Sequence, residues 1–199
     1  MNQITNTVFG GKNLINNTIN SPLQEKMSEA NEGLPLEKKL FISHSSKDKE
    51  LVDPFANMLI NAGFPTDKLF YTANSSFGVS PGENINQRLR IELTKDTYVI
   101  FMLSRNWKNS ETCENERGAV WHGGLDFCNI LLPDFDYRDI GGVAYQTEMS
   151  IRYEDDEDEL REKLGKLRRR LEKHFDLEFS DTAWEKSREK FLRLLLERK

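Results

Sequence analysis

The chain has 199 residues, 37% hydrophobic and 31% charged, with 33 acids against 28 bases and a net charge of −5. That balance fits one globular domain with an appendage and excludes a disordered chain; its acidity argues against a nucleic-acid-binding surface. No run approaches the ~18 consecutive apolar residues of a membrane-spanning helix. Residues Met1 to Asn6 lack a basic-then-apolar leader pattern, and two cysteines, Cys113 and Cys128, make no disulfide framework. The expected home is a reducing cytoplasm, with no membrane attachment.

Residues 1–36 are rich in Asn and place Gly10-Gly11-Lys12-Asn13 as a turn between Val8-Phe9 and Leu14-Ile15. They hold too few apolar residues for a core of their own and read as an N-terminal arm or adaptor segment, followed by a domain over 37–199. Lys39 to Ser43 reads as the first strand, followed by the polar run His44 to Asp48. A helix then carries Leu51, Val52, Phe55, Leu59 and Ala62 and closes at Gly63; Asp53-Pro54 as cap and first helical residue predicts that its regular part starts only there. Leu69 to Tyr71 is a short second strand, residues 72–83 a Gly/Ser/Pro loop, and Ile85, Leu89 and Leu93 define the next helix.

The apolar hexamer Tyr98 to Leu103 reads as a fully buried third strand, leading to the helix that holds Cys113 and Glu116. Phe127 to Leu132 is a fourth strand ended by Pro133, residues 134–146 an irregular loop, and Thr147 to Tyr153 a half-buried fifth strand. The acidic run Glu154 to Glu159 precedes Leu160, Leu164, Leu167 and Leu171, with bases farther along. Acids first and bases last match a helix dipole, so this run is a solvated helix face. Asp181 is expected to cap a last helix bearing Trp184, Phe191, Leu194 and Leu195.

Alternating strands and helices predict an α/β fold, a parallel sheet covered on both faces. Such a sheet binds ligands at the carboxyl edge of its strands, where each following helix begins. Cys113 and Glu116 are three apart on such a helix and share a face. Glu116 is therefore a candidate catalyst, with a solvated surface glutamate as the alternative. Other chemistries lack their residues. GxxxxGK[ST] and GxGxxG are absent, and Ser43-His44-Ser45 stands where a phospho-receiver would need acids. His44, His122 and His174 have no zinc spacing with the cysteines, so no metal site is expected. A Cys113–His44 nucleophile pair is disfavoured by the glutamate beside the cysteine.

Three motifs together resemble the Toll/interleukin-receptor (TIR) family. Phe41-Ile-Ser-His-Ser-Ser-Lys-Asp48 resembles its first box, Gly78-Val-Ser-Pro-Gly82-Glu83 the loop after its second strand, and Ser110-x-x-Cys113-x-x-Glu116-x-Gly118-Ala119 its third box. The resemblance spans residues 38 to about 175 and implies a flavodoxin-like five-stranded parallel sheet with helices on both faces. Thr112 departs from the tryptophan usual in the third box, and the loop 134–146 is long for the family.

The resemblance implies one of two roles: NAD cleavage at the nicotinamide–ribose bond, in some members with cyclisation, or non-catalytic association with other TIR domains, as in a virulence adaptor. The family's catalytic glutamate maps to Glu116. An ionised carboxylate suits a cationic, oxocarbenium-like transition state, and proximity to a helix start is expected to keep Glu116 ionised. Ser43, His44 and Ser45 are expected to line the substrate site, with helix capping as the alternative for Ser45. Phe77 or Trp107 is expected to stack on nicotinamide or adenine, with core packing as the alternative for Trp107. Ser110 is a substrate ligand or a helix cap, and Cys113 packs near the pocket. NAD is then a substrate and no cofactor is called for. Homo-oligomers through TIR–TIR contacts and a separate effector or sensor are the implied partners, since the chain is similar in size to stand-alone TIR proteins of antiphage systems such as Thoeris.

Overall fold

The computed structural model describes residues 37–71, 93, 95–133, 135–140 and 150–197. Among them the strands are β1 (Lys39–Ser43), β2 (Leu69–Tyr71), β3 (Thr97–Leu103), β4 (Phe127–Leu131) and β5 (Ser150–Arg152). They form one all-parallel sheet in the order β2-β1-β3-β4-β5. The helices are α1 (Lys49–Asn61), α2 (Arg105–Lys108), α3 (Glu111–Gly123), α4 (Tyr137–Ile140), α5 (Glu157–Phe175) and α6 (Asp181–Leu196). The expected α/β architecture is present. The N-terminal arm, the loop with Phe77 and the helix through Ile85 and Leu89 lie outside the described residues.

Strand order dictates where the helices go. From β1 the chain steps outward to β2, then returns to lay β3 on the other side of β1. Parallel crossovers are right-handed, so connections running in opposite directions put their helices on opposite faces. Thus α1 packs on one face, with α5 and α6, while α3 covers the other. Side chains alternate along each strand. Leu40, Ile42, Ile100, Met102 and Ile130 face α1, α5 and α6; Phe41, Val99, Phe101, Leu103 and Leu131 face α3. All seven residues of β3 are buried, as a central parallel strand requires.

Several boundaries differ from the sequence reading. Helix α1 begins at Lys49, after a 3-10 turn over Ser46–Asp48, and runs straight through Pro54. Proline forfeits one backbone bond there, but the first turn is held by tertiary contacts: Val52 is buried, the Tyr153 hydroxyl donates to the Leu51 carbonyl at 3.0 Å, and Tyr71 donates to Asp53. Ser180, not Asp181, precedes α6 as its N-cap residue; Asp181 opens the helix and pairs with Arg168 at 2.7 Å. Within the loop read as irregular, α4 forms one turn, with Asp136 accepting from the Arg138 amide at 2.9 Å. The acidic run serves its predicted purpose, since Asp156 caps α5 by accepting from the Glu159 amide at 2.9 Å. Gly124 ends α3 at φ 62°, a left-handed conformation that glycine adopts without strain.

The packing of α6 supplies much of the large-face core. Phe191 meets Phe55 of α1 edge-on at 5.9 Å and Tyr153, just beyond β5, at 5.6 Å. Phe191→Ala should therefore cost about 3–5 kcal/mol. Calorimetry should show this as a fall in Tm of roughly 10 °C; a fall under about 2 °C would show that α6 contributes little to the core.

Candidate functional site

In the strand order found here, the crevice opens between β1 and β3, whose connections depart in opposite directions. Strand parity decides what enters it. Ser43, last in β1, shares the face of Phe41 and points toward α3, and register sets it beside Phe101 of β3. On α3, Cys113, Glu116 and Val120 recur at helical spacing and are buried against the sheet. Glu116 is thereby brought to Ser43, whose Oγ donates to its Oε2 at 2.6 Å. Serine 43 in turn accepts from the Trp107 indole Nε1 at 3.0 Å.

Glu116 as a residue is 8% exposed. Burial pushes its pKa up from the ordinary glutamate value to about 7, and the Ser43 bond offsets only part of that. The expectation that a helix start keeps Glu116 ionised is thus corrected. Glu116 lies beyond the first turn of α3, past the reach of the helix dipole, and desolvation outweighs it.

The turns around the crevice are joined by Asp48. Buried itself, it accepts from the Ser104 hydroxyl and from Asn106 Nδ2, the latter at 2.7 Å. Ser104 also caps α2, accepting from the Trp107 amide at 2.9 Å. Asp48 thus ties the end of β1 to the end of β3. None of Asp48, Ser104 and Asn106 was singled out as a site residue from sequence. The signal available was Asp48 closing the first motif.

The other expected site residues take varied places. His44 follows Ser43 and so turns to the opposite face. Its ring packs on Tyr71 at 4.8 Å, and its Nδ1 donates to the Ile42 carbonyl at 3.1 Å, which leaves Nε2 as a buried acceptor with no partner among the described residues. Burial lowers its pKa and favours its neutral form. It does not line the crevice with Ser43. Ser45 accepts from the Lys47 amide at 3.4 Å, in the capping role. Ser110 caps α3, accepting from the Cys113 amide at 3.4 Å. Trp107 is 1% exposed, edge-on to Phe101 at 5.6 Å, and offers no open face for stacking. Cys113 packs beside the turn, its Sγ 3.7 Å from the His44 carbonyl. Burial raises its thiol pKa to about 11, with Glu116 adding to the rise, so it is no nucleophile at neutral pH.

Size does not mark the site. A cavity of about 700 Å³ lies between α1 and α6, lined by Glu50, Asp53, Asn57, Ser187, Lys190 and Phe191. It is on the opposite face of the sheet from Glu116. The buried glutamate at the sheet's switch point is the better pointer to chemistry.

Comparison with known proteins gives a family. A family model described as "TIR domain" matches residues 40–168. The chain is also 35% identical, over 156 residues, to "Uncharacterized protein YddK" of Bacillus subtilis (strain 168). That similarity covers 78% of this chain and 56% of the relative, so this chain matches little more than half of the relative's length.

The raised carboxyl pKa has a consequence for stability. Glu116 favours its neutral form when folded, so its contribution is fully present below the unfolded value of 4.5 and is lost as pH rises through about 7. The loss is on the order of 3 kcal/mol. Glu116→Gln should therefore raise Tm at pH 8 by roughly 5–10 °C and leave it nearly unchanged at pH 4.5. Equal Tm values at both pH values would refute the burial penalty.

Proposed function

This chain belongs to the TIR-domain family, and we propose that it is an NAD glycohydrolase in which Glu116 steadies the breaking nicotinamide–ribose bond. The supporting observation is the Ser43–Glu116 pair: a buried carboxyl group, oriented by one hydroxyl, at the ligand-binding edge of the sheet.

The chemistry asks for little else. The bond from ribose C1′ to the pyridinium nitrogen breaks with its electron pair moving to that nitrogen, so nicotinamide leaves neutral and needs no general acid. Positive charge then spreads over C1′ and the ring oxygen. An ionised carboxylate in a desolvated setting stabilises it strongly, because little water screens the pair. Water adds at C1′ and loses a proton, giving ADP-ribose; capture by a nucleophile within the same molecule gives a cyclic product. The pyridinium cation also favours the carboxylate form of Glu116 on binding. The free protein is only partly ionised near pH 7 and the complex more so.

The reading extends to setting. The protein acts as a homo-oligomer in the cytoplasm, either depleting NAD or passing a nucleotide product to a separate effector in immune signalling. In the described residues no helix is long and apolar enough to cross a membrane.

Incubation with NAD and chromatography of nicotinamide tests the enzyme directly. The profile of kcat/KM reports the free protein, so it should rise with pH and level off above about 7. Glu116→Gln should lower it by ~10²–10³. No nicotinamide release, or release indifferent to this substitution, would leave a non-catalytic TIR module as the better reading. Assembly has its own check: specific activity should climb with protein concentration, and Phe77→Ala should flatten that climb. A flat dependence in the unsubstituted protein would argue for an active monomer.

A further inference from the structure

We propose that Trp107 is a positioning residue for Glu116, acting through Ser43: its indole N–H fixes the direction of the Ser43 hydroxyl, so that the hydroxyl proton is always presented to the carboxyl group. This rests on the reading of Glu116 as the functional acid.

Hydrogen-bond polarity sets the direction of the serine proton. An indole Nε1 can only donate. At 3.0 Å from Ser43 Oγ it occupies a lone pair of that oxygen. The hydroxyl carries one proton, and its other partner among the described residues is Glu116 Oε2 at 2.6 Å. Reversal would use the second lone pair of Oγ for the carboxyl proton and leave the serine proton without an acceptor among the described residues, so Oε2 is favoured as the acceptor. A serine without the tryptophan would rotate freely and offer its proton part of the time. The donor is itself immobilised. Phe101 meets the indole edge-on at 5.6 Å, the Arg117 guanidinium lies 5.9 Å from the ring centroid, and its amide is capped by Ser104, which Asp48 holds. The chain from Asp48 to Glu116 thus passes through groups with little freedom, as preorganised sites require.

Other charged and titratable groups on the neighbouring elements are Cys113, Glu114 and Arg117 on α3, His44 and Asp48 in the turn after β1, and Arg105 and Lys108 on α2. Burial and the Ser43 bond outweigh all of them at Glu116. The clamp is therefore the adjustable influence on its ionisation.

The test uses Trp107→Phe, which keeps a buried ring and removes the N–H. Carboxyl ¹³C NMR, with the Glu116 resonance identified by its loss in Glu116→Gln, reads the ionisation without any need for activity. The titration midpoint of Glu116 should move to higher pH by about half to one pH unit. The kcat/KM for NAD should fall by about 3–10-fold at pH 6 and stay within about twofold at pH 9. Ser43→Ala should move the midpoint at least as far, and adding Trp107→Phe to it should move it no further, because tryptophan acts through the hydroxyl. An unmoved midpoint in a folded Trp107→Phe protein, or a further displacement in the double variant, overturns the proposal. Should Trp107→Phe fail to fold, an unmoved midpoint in Ser43→Ala overturns it equally. A displaced midpoint in a protein that releases no nicotinamide would uphold the clamp and sink the NAD-cleaving reading; activity lost in Glu116→Gln with the midpoint unmoved in Trp107→Phe would do the reverse.

Discussion

The hydrogen bond from Ser43 to Glu116 joins the last residue of β1 to the inner face of α3, and the geometry of the crevice depends on it. Removing a carboxyl group from water is costly unless donors replace the lost solvation. Here one hydroxyl replaces part of it, so the group sits between charged and neutral near physiological pH. An alanine at this position would avoid the penalty. The rest of the fold offsets that penalty elsewhere, chiefly on the opposite face, where Phe55, Tyr153, Trp184 and Phe191 pack among the leucines of α5. The acid and most of the apolar core are thus separated by the sheet: one face is mostly hydrophobic, and the other carries Glu116.

Two rigid supports hold the acid in place. One is the sheet, whose register sets Ser43 beside Phe101 and leaves it no choice of face. The other is the polar bridge from Asp48 to Ser104 and Asn106, which spans the gap where the chain reverses its direction of strand addition. At that gap, among the described residues, no backbone hydrogen bonds continue the β1–β3 ladder, and side chains do the joining. The joined turns lie on the helix and strand ends rather than on a long loop, which suits a group whose ionisation depends on sub-ångström contacts.

Much of this was legible in the residues. The apolar hexamer before Ser104 reads as a fully buried strand, and strand–helix alternation predicts a parallel sheet. Cys113 and Glu116 had to share a helix face, and their place near a strand end made that face chemical. The interruption at Pro54 misled, because a local rule for helix starts gave way to contacts from Tyr71 and Tyr153, residues 18 and 102 positions from their partners. Trp107 misled in a similar way: an aromatic at a strand end suggests a stacking wall, while its indole is buried and serves as a donor.

What the sequence by itself determined is therefore whatever depends on neighbours along the chain: strand and helix identity, the dipole-matched charges of α5, the family motifs and the single candidate acid. What only the tertiary structure decided is whatever depends on neighbours in space. That Ser43 meets Glu116 while His44 turns away follows from strand parity once α3 is known to cover that face. That Glu116 titrates near neutrality follows from the surfaces that close over it. Burial is a property of the assembled layers, and the solvation energy of a carboxylate is written in that burial rather than in the residue's name.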